Sequence, residues 1–175
     1  MSRILICYST TDGHTGTICA RLKELLLGEG HAVDVSNIAD DPDLDLAPYD
    51  KVVVGASIRY GKHNPRAYKF IAANQQELER RPNAFFSVNV VARKAEKNQP
   101  ETNPYMQKFL GQIAWQPKHL AVFAWRIDYP RYGFVDKQMI RLIMWMTKGP
   151  TDPTSVNEFT DCDKVDEFGQ VIAGM

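Results

Sequence analysis

Seven consecutive residues, Ser9-Thr10-Thr11-Asp12-Gly13-His14-Thr15, bring four hydroxyls and a glycine together directly after an apolar run, Ile4-Leu5-Ile6-Cys7-Tyr8. A buried strand that turns through hydroxyls into the start of a helix is a place to hold a phosphate. Backbone N–H groups converge there, and the helix N-terminus adds partial positive charge. Several phosphate chemistries are excluded by residue type. A nucleotide-triphosphate loop needs Gly-Lys-Ser/Thr, and no lysine lies in this stretch. The dinucleotide pattern G-x-G-x-x-G is absent. A thiol phosphatase would need an arginine six residues after Cys7, where Gly13 stands, and a phosphoacceptor domain would end its third strand in aspartate rather than Gly55-Ala56-Ser57. What remains is a loop that grips a terminal phosphate with neutral donors and no metal.

That description suits FMN, whose phosphate is held and not transferred. Other loops offer walls for such a cofactor. Tyr60 and Trp125 follow apolar runs, and each is either a cover for a flat ring or an ordinary core or surface aromatic. Ser57, Ile58, Arg59, Tyr60 and Gly61 form one candidate wall. Ser87, Val88, Asn89, Val90, Val91, Ala92 and Arg93 form another, small enough to let backbone N–H groups reach a ring edge. Cations collect at the same loops without matching acids: Arg59, Lys62, Arg66 and Lys69, then Arg93 and Lys94, then Arg126 and Arg131. A basic rim suits an anionic client. No residue is marked as a necessary general base. His63 titrates near neutrality but reads as a surface histidine. The histidines, 14, 31, 63 and 119, lack metal-ligand spacing, so no metal is expected.

The elements that position these loops follow from hydropathy. Of 175 residues, 44% are apolar, and 21 basic residues balance 21 acidic ones, so the chain reads as one globular domain, residues 1–175, whose bulk charge points to no nucleic-acid partner. Three scattered cysteines suggest reduced thiols in a cytosolic protein. The N-terminus enters a strand directly, which predicts no signal peptide, and no apolar run is long enough to span a bilayer. Strands are expected at 3–8, 31–35, 51–57, 84–90 and 119–125. Helices should follow the first loop, the Asn64-Pro65 and Asn103-Pro104 starts, and residues 163–173. The second of these is read as continuous through Phe70, Ile71, Asn74 and Leu78. Alternating strands and helices imply a parallel sheet covered on both faces, with ligands at the carboxyl ends of the strands. The long segment 126–160 exceeds an ordinary connection. On a helical wheel its core, 136–148, gathers Met139, Leu142, Ile143 and Met146 opposite Lys137, Arg141 and Lys148, with Met144 out of place. Such a helix either packs on its own domain or lies on a membrane surface.

These residues resemble the flavodoxin family, whose phosphate loop reads Ser/Thr-x-Thr-Gly-x-Thr; here Asp12 is one residue extra, and it must turn away from a phosphate, for instance to cap the helix. Within that family the motifs Ser9-Thr-x-Asp-Gly-x-Thr15, Gly55-Ala-Ser-Ile-Arg-Tyr-Gly61, Phe86-Ser-Val-Asn-x-Val-Ala-Arg-Lys94 and Tyr129-Pro-Arg-Tyr132 resemble the bacterial menaquinone-dependent protoporphyrinogen oxidases. The resemblance implies a flavodoxin-like three-layer α/β sandwich with strand order 2-1-3-4-5 and a long insert after the fifth strand. It also implies FMN, oxidation of protoporphyrinogen IX to protoporphyrin IX, and a quinone such as menaquinone as acceptor. The work would be done in haem synthesis, peripherally at the cytoplasmic face of the inner membrane through residues 137–148. Arg59, Lys62, Arg93, Arg126 and Arg131 are then the expected contacts for substrate propionates. A flavodoxin-type electron carrier and an NAD(P)H:quinone reductase stand as alternatives, and oligomeric state is left open.

Overall fold

The computed structural model describes residues 1–175. Strands β1 (Arg3–Ser9), β2 (Ala32–Asn37), β3 (Lys51–Arg59), β4 (Asn83–Asn89) and β5 (His119–Ala124) form one parallel sheet in the order β2-β1-β3-β4-β5. The register runs Ser9 opposite Ala56, Ala56 opposite Ser87, and Ser87 opposite Val122, so the carboxyl ends of the central strands come to one edge of the sheet, with β3 running on past β1 to Arg59. The predicted strand order and class are the ones observed.

Period-two alternation splits each strand between two cores. Ile4, Ile6, Val53 and Phe86 face α1 (His14–Gly28) and α6 (Cys162–Gly174), packing on Ile18, Leu22, Val165 and Phe168. Leu5, Cys7, Val54 and Phe85 face the other layer, formed by α2 (Pro65–Ala73), α3 (Gln75–Glu79) and α4 (Pro104–Gln112), through Phe70, Leu78, Met106 and Phe109. Gly55 has to lack a side chain: a Cβ there would lie 2.2 Å from Phe86 Cζ.

The asparagine–proline helix starts behave as expected. Asn64 Oδ1 accepts the Arg66 N–H at 2.9 Å, and Asn103 Oδ1 accepts those of Tyr105 and Met106, each at 3.2 Å. The single helix expected through Leu78 is two. It breaks at Asn74, whose Nδ2 donates to the Phe70 carbonyl at 2.9 Å alongside its own backbone N–H at 3.1 Å. The loop expected after the 51–57 strand is a tight hairpin. β3 continues to Arg59, Tyr60 and Gly61 take φ values of 49° and 77°, and Lys62–His63 pairs back antiparallel. Two central residues at positive φ fit the right-handed twist of such a hairpin, and glycine at the second position makes it cheap.

The segment after β5 is built, not loose. Ile127–Asp128 pairs antiparallel with Val156–Asn157 to close a neck, and α5 (Phe134–Met146) lies between them. Ile127, Tyr129, Ile140 and Met144 join the core on the α1 side, and the Tyr129 hydroxyl donates to the Pro150 carbonyl at 2.6 Å. This corrects the helical-wheel reading. Met144 is the anchor of α5, fully buried, while Met139, Leu142 and Met146 are 41%, 48% and 66% exposed. The sector the wheel gathers is largely exposed, and the core meets α5 beside it, through Ile140 and Met144. Phe134, Val135 and Trp145 are exposed as well.

Candidate functional site

Four carboxyl-terminal strand ends deliver the predicted residues to one edge of the sheet. Ser9 ends β1 and is buried; Gly13 then turns at φ 80°, and its N–H donates to Thr10 Oγ1 at 3.0 Å. The amides of Thr11, Asp12, His14, Thr15 and Gly16 have no hydrogen-bond partner within the chain. Thr15 is fully buried, and its hydroxyl oxygen also lacks a partner. A buried unsatisfied hydroxyl is costly and rare, so it points to an absent acceptor or donor. Uncommitted donors at the N-terminus of a 15-residue helix, with no lysine among them, fit an anionic group held by neutral contacts.

A narrow crevice runs from this loop between the strand ends, lined by Thr10, Thr15, Ser57, Ile58, Val88 and Trp125. It meets an almost wholly apolar cleft formed by Ile58, Tyr60, Gly61, Val90 and Tyr105 on the sheet side and Ile140, Ile143 and Met144 of α5 above. A polar cavity of about 510 Å³ opens on the other side of the loop, against Thr17, Trp125, Arg126, Asp128, Arg131 and Tyr132. Tyr132, Asp128 and Thr17 were not among the residues read from the sequence as site candidates.

Several expected roles change. Asp12 does not cap α1, whose N-cap is Gly13 without a side-chain bond. Its carboxylate accepts from Arg59 Nη1 at 2.5 Å, and Arg59 Nη2 reaches Asp136 of α5 at 2.9 Å. The same guanidinium lies 5.2, 5.8 and 5.7 Å from the ring centroids of Tyr60, Trp125 and Tyr132. Burial works against the Arg59 charge, but Asp12 and then the hydrogen bonds to Tyr60 and Asp136 outweigh it and raise its pKa. The Tyr60 hydroxyl donates to Asp136, and that bond, followed by Arg59, holds the Asp136 carboxyl below the usual range. The cations are therefore not all without matching acids. Arg126 lies 3.6 Å from Asp128 and 3.9 Å from Glu158. Arg93 is spent on the fold: Nη1 donates to the Val90 carbonyl at 3.2 Å and Nη2 to the Thr147 carbonyl at 2.8 Å, pinning the loop after β4 to the end of α5. Lys62 and Arg131 form no ion pair.

The loop after β4 is also more structural than expected. Val90–Arg93 forms a 3₁₀ turn, and Val90, Val91 and Ala92 are all buried. Asn89 Oδ1 accepts the Ala92 N–H at 3.1 Å and a bond from Asn103 Nδ2 at 3.0 Å, which consumes one amide expected to face a ligand. Ser87 Oγ lies 2.9 Å from His63 Nε2. His63 is not a surface residue: it packs among Phe85, Phe109 and Tyr68, and burial pushes its pKa down to about 3. His14 likewise faces inward, with Nε2 2.7 Å from Thr160 Oγ1, and its pKa falls mainly through burial. The Thr160 hydroxyl donates to the Ala124 carbonyl at 3.1 Å, so its oxygen is left to accept from His14.

A family model described as a flavodoxin domain matches residues 5–154. The chain is similar to protoporphyrinogen IX dehydrogenase (quinone) of Leishmania major, 42% identical over 99% of this chain and 75% of the relative. It is equally similar to the enzyme of that name from Escherichia coli strain K12, 42% identical over 98% of this chain and 94% of the relative. Among solved structures, a short-chain flavodoxin associated with a bacterial microcompartment superposes with a TM-score of 0.59 at 13% identity, covering 99% of this chain and 98% of the other. Oxidised flavodoxin 1 of Bacillus cereus gives 0.57 at 13% identity, covering 99% and 98%.

Proposed function

The chain belongs to the flavodoxin domain family and is a relative of the protoporphyrinogen IX dehydrogenases (quinone), and from that premise we propose that it oxidises protoporphyrinogen IX to protoporphyrin IX in haem synthesis, with a quinone as electron acceptor. The cofactor in this reading is FMN, and the acceptor is menaquinone. The observation that carries the cofactor assignment is the unsatisfied Thr15 hydroxyl among five uncommitted amides. Bound there, the flavin supplies the two-electron redox chemistry, while the protein positions, tunes and shields it.

The chain's own residues have distinct tasks. The amides of residues 11, 12 and 14–16, with Thr15 Oγ1, hold the phosphate. Arg59 neutralises Asp12, so that its carboxylate does not repel the dianion. Ile58, Tyr60, Gly61, Val90 and Tyr105 provide walls for a flat ring, with Trp125 at the junction with the crevice. Ile140, Ile143 and Met144 cover that cleft and exclude water. His63 stays uncharged at neutral pH, since its pKa lies far below, and contributes no positive charge beside the ring cleft. With a pKa so far below neutrality, His63 is a poor proton acceptor for this reaction.

We also propose a peripheral contact with the cytoplasmic face of the membrane. Phe134, Val135, Trp145 and Met146 are between 66% and 79% exposed on α5, with Lys137 and Lys148 nearby. Side chains of that size left in water, beside cations, suit an anionic lipid surface. No helix is long and apolar enough to cross a membrane.

An anaerobic mixing experiment tests the whole reading. FMN-loaded protein should bleach on addition of protoporphyrinogen IX and recover colour on addition of a menaquinone analogue. Bleaching by NADPH alone would favour a nicotinamide-dependent quinone reductase, and bleaching only by a reduced partner protein would favour an electron carrier.

A further inference from the structure

On the outer side of the Tyr60–Gly61 hairpin lies a second cavity, of about 570 Å³, between α2 and α4. It has no place in the roles assigned so far. Its floor is aromatic: His63, Tyr68, Tyr105 and Phe109 line it. Three lysines, Lys62, Lys69 and Lys108, come to its rim from the hairpin, α2 and α4, all solvent-exposed and none in an ion pair. No carboxylate lines it. The cavity beside the phosphate loop differs, since Asp12 and Asp128 line that one and, of its two arginines, Arg126 is already paired and only Arg131 is free.

Position adds a second argument. Ile58, Gly61 and Tyr105 form a wall of this cavity and also a wall of the apolar cleft under α5. A ligand seated in the cavity therefore lies against the same three residues as a ring seated in the cleft. Aromatic floor, cationic rim and absent acid together select an anionic, flat, apolar molecule: the rings cover the apolar face, and the ammonium groups meet carboxylates at the edge.

We propose that this cavity is where the substrate's carboxylates dock, with Lys62, Lys69 and Lys108 as the specificity-determining contacts and Tyr68 and Tyr105 as the platform for the macrocycle. This rests on the reading of the chain as a protoporphyrinogen dehydrogenase. It keeps Lys62 among the anion-recognising residues and puts Lys69 of α2 and Lys108 of α4 in place of the arginines at the strand ends.

The test uses FMN-loaded protein and protoporphyrin IX as a fluorescent probe, beside its dimethyl ester. Charge reversal at two rim positions, Lys69→Glu with Lys108→Glu, should weaken protoporphyrin binding at least tenfold and leave FMN affinity within twofold. Lys69→Gln with Lys108→Gln, a gentler change, should weaken it by an intermediate factor. The dimethyl ester should bind the unaltered protein no better than the acid binds the charge-reversed one. Lysine variants that bind protoporphyrin as the unaltered protein does, or an ester that binds as well as the acid, would overturn the assignment. An enzyme reading that is itself wrong gives a different signature: no porphyrinogen-dependent bleaching in the unaltered protein.

Discussion

Thr15→Val separates the needs of the empty fold from those of the cofactor site. Valine has nearly the shape of threonine and a similar helix propensity, so the change removes one hydroxyl and little else. That hydroxyl is fully buried without a partner. A buried unsatisfied polar group costs about 1–3 kcal/mol, so the FMN-free protein should gain roughly 1 kcal/mol or more on losing it. For a chain of this size that raises the unfolding midpoint by about 2–4 °C. The same hydroxyl, if it donates to a phosphate, is worth about 1.5–3 kcal/mol as a bond to a charged group, so FMN affinity should fall about 10- to 150-fold. Two measurements on one variant must move in opposite directions: thermal unfolding of the FMN-free protein and titration of FMN by fluorescence quenching. Thr10→Val is the control, because Thr10 Oγ1 accepts the Gly13 N–H at 3.0 Å and should destabilise the empty loop when lost. A Thr15→Val protein that is less stable without FMN, or that binds FMN as tightly as before, refutes the assignment of that hydroxyl to the phosphate.

Other expectations concern charge. Arg59→Ala leaves the Asp12 carboxylate facing the dianion, and FMN affinity should drop about tenfold; Arg59→Ala with Asp12→Asn should recover most of it, and a double variant no better than the single one would show that Asp12 is not the cause. His63 has a folded pKa of about 3 against an ordinary value of 6.5, so the unfolded chain binds the extra proton between those limits. Its contribution to stability is complete above pH 6.5 and is lost as pH falls toward 3, with a slope of up to about 1.4 kcal/mol per pH unit; replacing it by phenylalanine should flatten the acid arm of denaturant-melt stability by about one proton, and an unchanged slope counts against its buried neutral state. Trp145→Ala with Met146→Ala should cut binding to anionic vesicles about tenfold or more, since each large side chain withdrawn from water is worth about 1.5–3 kcal/mol; unchanged sedimentation with vesicles removes the membrane role of α5.

The fold was readable because its signals are local. The apolar runs of β1, β3 and β4 and the asparagine–proline starts of α2 and α4 report their own state within a few residues. The phosphate loop was readable for the same reason, since hydroxyls, glycine and the following helix lie in one stretch. What escaped depends on partners far along the chain. Nothing near Arg59 announces Asp136, and nothing near His14 announces Thr160, yet these pairs decide which groups remain free. Met144 was misread because a helical wheel ranks sides by apolar content, whereas the core touches only a strip of α5. His63 looked exposed because it sits between a glycine turn and a helix start; the hairpin at Tyr60–Gly61 folds it under, against Phe109. Lys108 lies far from the basic run at 59–69 in sequence and reaches the same cavity only because α2 and α4 pack side by side on one face of the sheet.

The neck formed by Ile127–Asp128 and Val156–Asn157 brings the two ends of the long excursion after β5 next to each other. Seen from β5 and α6, the connection is short however much chain lies beyond it. Lengthening a loop whose ends already meet adds little closure entropy, about 0.6 kcal/mol per doubling. The five-stranded frame is thus a platform from which this excursion can lengthen or shorten at little cost to the register of the strands.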